Sequence, residues 1–119
     1  MDKTEKLMDS MNLIQIAAKA LDDKKAERLK IIDISKISIM ADYMMIASGS
    51  NKNQIQAMAD NVIEQLHKAG CRYRAVEGYD AANWVLIDAH DLIIHIFDRE
   101  SRDFYDIERL YQDGVYIDV

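Results

Sequence analysis

Five stretches of this chain read as extended: residues 29–34 (LKIIDI), 43–47 (YMMIA), 72–77 (RYRAVE), 83–88 (NWVLID) and 92–97 (LIIHIF). Four are short, apolar and bounded by charge or turn residues, and 72–77 alternates as a half-exposed strand would. Between them the period changes to helical. Leu7, Met11, Ile14, Ala18 and Leu21 share one face of a first helix, which ends near Asp22 to Lys25. Ile55, Met58, Ala59, Val62, Ile63 and Leu66 share one face of a second, which Ser50 or Asn51 can cap; Gln54 sits where a capping-box partner belongs, and Gly70 closes it. Ala89-His90-Asp91 is short enough to join its flanking strands as an antiparallel hairpin. Residues 104–111 return to helical spacing before a tail at 112–119. Both periods in one chain demand a sheet with helices covering it. The expected fold is α/β: a single domain over 1–119, with a mixed five-stranded sheet and flanking helices. With 119 residues and no proline, repeat or low-complexity linker, nothing marks a second domain.

The charge balance excludes some partners. Fifteen Lys and Arg against 21 Asp and Glu give a formal net charge of −6, and the sequence pI is near 4.9. A surface that neutralises phosphates needs clustered cations, so extended direct contact with nucleic acid or an anionic membrane is not expected. One cysteine, Cys71, cannot form an internal disulfide, and it lacks the companions of a structural zinc site. The polar interruptions Asp9, Ser10, Asn12 and Gln15 break any signal-peptide core, and no apolar run is long enough to span a bilayer. These features suggest a reducing, cytoplasmic setting.

The residues that could carry chemistry are few. Gly49-Ser50 lies between a strand and a helix, where backbone N–H groups and a helix dipole can hold a phosphate. It lacks both the Walker A and the GxGxxG pattern, and a capped strand-to-helix turn explains it as well. Carboxylates are plentiful, yet no strand carries the D-x-D pair expected of metal-assisted phosphoryl transfer. Asp88 and Asp91 bracket a turn, where Asp bonds its own backbone. His67 falls near the solvent face of a helix and His90 in a turn. His95 stands among Ile93, Ile94, Ile96 and Phe97, with no nucleophile or second ligand at a useful spacing, so a hydrogen-bonded structural role is expected. Cys71 has no activating neighbour and reads as a packing residue. Above this background stands a C-terminal cluster of rings, Tyr79, Trp84, Phe97, Phe104, Tyr105 and Tyr111, interleaved with Asp80, Asp98, Asp103, Asp106 and Glu108. Rings as anchors and acids at a rim suit a basic protein partner.

Seven segments in register, 20–26 (ALDDKKA), 38–43 (SIMADY), 47–54 (ASGSNKNQ), 76–78 (VEG), 84–88 (WVLID), 91–97 (DLIIHIF) and 102–110 (RDFYDIERL), make the chain resemble the Iojap or ribosomal silencing factor family. The resemblance implies a nucleotidyltransferase-like fold without the catalytic carboxylate pair. Gly49 and Ser50 would then be a vestigial nucleotidyltransferase turn, with no catalytic residue, metal or cofactor. It also implies binding to the large ribosomal subunit through ribosomal protein L14, steric exclusion of the small subunit, and repression of translation when nutrients are scarce. The partner surface so implied comprises Tyr79, Asp80, Trp84, Leu86, Phe97, Arg102, Tyr105, Asp106 and Glu108, with little or no nucleic-acid contact. Free protein could pair with itself through the same aromatic face. Departures from the family pattern are Ile39-Met40, Met44-Met45, Tyr111 in place of the usual Trp, and a variable tail from Gln112. Two other classes compete: a small nucleotidyltransferase-like enzyme, and a toxin or antitoxin-type module with its own cognate protein.

Overall fold

The computed structural model describes residues 3–118, with side chains from residue 10 onward. Helix α1 (Lys3–Asp22) leads into β1 (Glu27–Asp33) and β2 (Tyr43–Gly49), followed by helix α2 (Lys52–Lys68). The chain continues through β3 (Ala75–Glu77), β4 (Trp84–Ala89) and β5 (Leu92–Asp98) to short helices α3 (Arg99–Tyr105) and α4 (Ile107–Leu110), and ends on β6 (Val115–Tyr116). The sheet is mixed, ordered β3-β4-β5-β2-β1-β6, and only β2 and β5 run parallel.

The expected α/β class and mixed sheet are present, with six strands where five were expected. The sixth is the two-residue β6, in which Val115 and Tyr116 pair with Asp33 and Ile32 of β1. Two residues on an edge carry too little pattern to read from sequence. The strand expected at 72–77 is cut to Ala75–Glu77, although Arg74 N–H still donates to the Asp88 carbonyl (2.7 Å). The single helix expected at 104–111 is instead two. Asp98 caps α3 by accepting from Ser101 N–H (2.7 Å), and Asp106 breaks the run by adopting φ 47°, ψ 48°. Asp enters this left-handed region more readily than most residues.

Helices α1 and α2 cover one face of the sheet. Ile14, Ala17, Leu21, Ile55, Met58, Val62 and Leu66 meet Met45, Ala47, Val85, Ile87, Ile94 and Ile96 there. The side chain of Leu7, assigned to that face by its spacing, lies outside the described side chains. α2 is capped as its sequence suggests: Asn51 accepts from Gln54 N–H (2.8 Å), and Gln54 Oε1 accepts from Ser50 N–H (2.6 Å). Gly70 at φ 84° ends it, letting Cys71 N–H reach the Leu66 carbonyl. The opposite face holds a smaller cluster of Ile32, Ile34, Ala41, Met44, Ile46, Phe97 and Ile107, with Tyr111 packed against it. Among the described helices, only α3 and α4 lie over this face. The strands record the difference. β2 is buried on both faces, whereas β4 alternates, with Trp84, Leu86 and Asp88 half-buried and Val85, Ile87 and Ala89 buried.

Candidate docking face

The half-covered part of the sheet is built by register. Trp84 lies opposite Phe97, Leu86 opposite His95, and Asp88 opposite Ile93, so these side chains share the face turned away from α1 and α2. Trp84, at the start of β4, stacks on Phe97 (centroids 4.9 Å apart) and packs against Tyr105 at the end of α3 (4.8 Å). Tyr105 meets Phe104 edge-on (5.1 Å, 87°). Phe97 is buried, Trp84 half-buried, Tyr105 half-exposed and Phe104 81% exposed. The ring stack therefore rises from the core to solvent.

Trp84 is also tethered. Its indole Nε1–H donates to His95 Nδ1 at 3.0 Å. Because an indole N–H can only donate, His95 must accept there and carry its own proton on Nε2. Burial pushes the imidazole down to about 4, which keeps it neutral at ordinary pH.

Arg102 supports the stack from below. The structure leaves it 2% exposed, so it is a strut beneath the face and not one of its contacts. Its Nε donates to Glu108 (2.8 Å), and one terminal nitrogen donates to the buried Ser48 hydroxyl (2.9 Å), tying α3 and α4 to β2. Phe97, fully buried, likewise supports Trp84 from beneath.

The residues expected at a partner surface thus separate. Trp84, Leu86, Phe97 and Tyr105 come together, with Arg102 and Glu108 below and exposed Asp106 at the helix break. Tyr79 is placed elsewhere. It packs against the α1–α2 core, and its hydroxyl donates to Asp60 of α2 (3.1 Å), a bond that holds the phenol above its ordinary range. Asp80 is exposed in the β3–β4 connection.

Two apolar features of the face escaped sequence reasoning. Ile93 is only partly buried at the β4–β5 end, and the β1–β2 loop, anchored in the same cluster by Ile34 and Ala41, carries Ile39 and Met40 exposed at its tip. The signal available was two adjacent apolar residues in a Ser-rich loop.

At the carboxyl ends of the parallel strands β2 and β5, a cleft of about 400 Å³ is lined by Ser50, Asn51, Lys52, Ala82, Asp98 and Arg99, among others. In α/β sheets this is where a ligand would sit. Here the turn is engaged by its own chain. Gln54 Oε1 accepts from both the Ser50 amide and its hydroxyl (2.6 and 2.8 Å), and Gln54 Nε2 bonds the carbonyls of Lys24 and Lys25 (3.0 Å each).

The family model described as "Ribosomal silencing factor during starvation" matches residues 7–119. The ribosomal silencing factor RsfS of Bacillus subtilis is 37% identical over 112 residues, spanning 94% of this chain and 95% of that protein. That of Zymomonas mobilis is 38% identical over 112 residues, 94% of this chain and 84% of its own length. A crystal structure of a Chromobacterium violaceum protein superposes with a TM-score of 0.84 at 33% identity, covering 86% of this chain and 85% of that one.

Proposed function

The chain belongs to the ribosomal silencing factor family, and from that premise we propose that its open sheet face docks on ribosomal protein L14 of the large subunit. The bound domain then occupies the space the small subunit needs, so translation falls when nutrients are scarce. No chemistry is required, the Gly49-Ser50 turn serves as a capped connection, and the setting is the cytoplasm.

The observation that carries this reading is the ring stack of Trp84, Phe97 and Tyr105 on the one sheet face left partly uncovered. A helix or strand that hid this apolar strip would stabilise the monomer, so its exposure suits a partner. Trp84, Leu86, Ile93 and Tyr105 form its centre, with Asp88, Asp106 and Glu77 as acidic rim, and Phe97 and Arg102 hold the contacts in place. Tyr79 stays with α2, and Asp80 lies at the margin. A standard interface covers about 800 Å² of each partner, roughly a ninth of the 7408 Å² surface. In the absence of the partner the same strip could pair with a second copy.

The test is a sucrose gradient of lysate supplemented with the protein, paired with a pull-down on isolated L14. The protein should co-migrate with free large subunits and lower the fraction of joined ribosomes. Trp84→Ala should cost at least about 2 kcal/mol, or about 30-fold in affinity. Unchanged affinity for L14 in that variant would place the site elsewhere.

A further inference from the structure

The centre of the open face holds one polar group that no role described so far uses. His95 is 92% buried, and its Nδ1 is committed to the Trp84 indole. Its Nε2 makes no hydrogen bond within the described residues. Nor is that nitrogen sealed away, because Arg102 Nη2 is the one fully buried side-chain nitrogen or oxygen without a partner among them. His95 alternates with Ile94 and Ile96, which point into the α1–α2 core, so its ring lies on the face of Trp84, Leu86 and Ile93. The indole N–H of Trp84 is consumed internally. The imidazole is therefore left with an unused N–H in an apolar strip, on a ring of a residue that keeps 8% of its surface exposed.

We propose that His95 Nε2–H is the hydrogen-bond donor by which this face recognises its partner, and that it reads a backbone carbonyl on the docked protein. This rests on the docking role of the face argued above. The tautomer is fixed by the Trp84 bond, so the ring offers a donor and never an acceptor at that point. Once the strip is covered, a partner without an acceptor there would bury an unpaired N–H, a penalty that rejects near-fits. A carbonyl is the fitting group because a basic partner presents few free carboxylates, and a cationic side chain brings only more donors. One residue thus has two tasks: it orients the anchoring indole, and it supplies the directional contact beside it.

Two substitutions separate these tasks. In His95→Asn the short amide oxygen can take the place of Nδ1 and keep the Trp84 bond, but nothing reaches the surface. In His95→Gln the longer side chain carries an N–H towards the position of Nε2. Wild type and both variants would be sedimented with purified large subunits, after urea unfolding has established that each is folded. The expected result is a loss of about tenfold for His95→Asn, with His95→Gln within about threefold of wild type. Equal losses would assign His95 to packing alone and overturn the proposal, as would two unchanged affinities. A wild-type protein that fails to sediment with the subunit would instead defeat the docking reading, and this proposal with it. Independently, long-range proton–nitrogen NMR of the free protein should find the Nε2–H tautomer; an Nδ1–H tautomer would overturn the assignment without any partner present.

Discussion

Removing the Glu108 carboxylate should be among the most damaging single changes outside the apolar core. Arg102 and Glu108 meet at 2.8 Å with side-chain exposures of 1% and 21%. In Glu108→Ala the guanidinium remains buried, with the Ser48 hydroxyl at 2.9 Å and the Glu27 carbonyl at a marginal 3.5 Å, while Nη2 already lacks a partner. Breaking a buried pair from one side costs about 3–5 kcal/mol, because the surviving charge is uncompensated. Glu108 is one-fifth exposed and water can reach the gap, so the lower end, about 3 kcal/mol, is expected. For a domain of this size that lowers the melting temperature by roughly 10–15 °C. Urea unfolding read by the fluorescence of Trp84, the only tryptophan in the chain, measures it directly, since Trp84 packs against Tyr105 at the end of the helix that Arg102 anchors. The double variant Arg102→Met with Glu108→Leu should recover most of the loss, because well-packed apolar replacements of a buried pair are often neutral or better. A Glu108→Ala protein within about 0.5 kcal/mol of wild type would refute the reasoning, and would mean that water already solvates the guanidinium.

Acid should destabilise the domain through His95. Its folded value near 4 lies below the ordinary 6.5 because burial disfavours the imidazolium, so the unfolded chain takes the proton first. Stability is complete above about pH 6.5 and falls as pH drops towards 4, by at most on the order of 3 kcal/mol. Urea midpoints between pH 7 and 4.5 should follow this trend in wild type and lose that component in His95→Gln; parallel curves would count against it. Gly78→Ala should cost at least about 2 kcal/mol in the same assay, since Gly78 sits at φ 79° and a Cβ there would collide with the Trp84 carbonyl oxygen. A cost below about 0.5 kcal/mol would show that the β3–β4 connection can shift. Affinity for L14 should weaken as salt rises, less steeply than for a protein that contacts many phosphates. Indifference to salt would reduce the acidic balance to a solubility feature.

Local patterns were legible where one residue type answers one local need. The α2 cap at Asn51, the stop at Gly70 and the tight hairpin connection before Leu92 all depend on neighbours within a few positions, and the sequence displays them, although Ala89, read as part of that connection, pairs with Leu92 as the last residue of β4. The α3–α4 break was not legible. A left-handed Asp106 gives no periodic signal, and the Asp98 cap was hidden by reading only apolar spacing. The candidate site was half legible. Trp84 and Tyr105 could be named from type and neighbourhood, and Leu86 only from the family resemblance. The burial of Arg102 and the place of Tyr79 beside α2 were not legible, because each depends on a distant partner: Ser48, 54 positions from Arg102, and Asp60, 19 positions from Tyr79.

By itself, then, the sequence determined the α/β class, the helices that cover one face and the family to which the chain belongs. These follow from periodicities and motifs that act within a few residues of each other. Only the tertiary structure decided that the opposite face is left open along β4, that Trp84 is held by His95, and that a buried arginine props the helices carrying Tyr105. Sheet order and long-range pairing choose which side chains meet, and no local pattern records that choice.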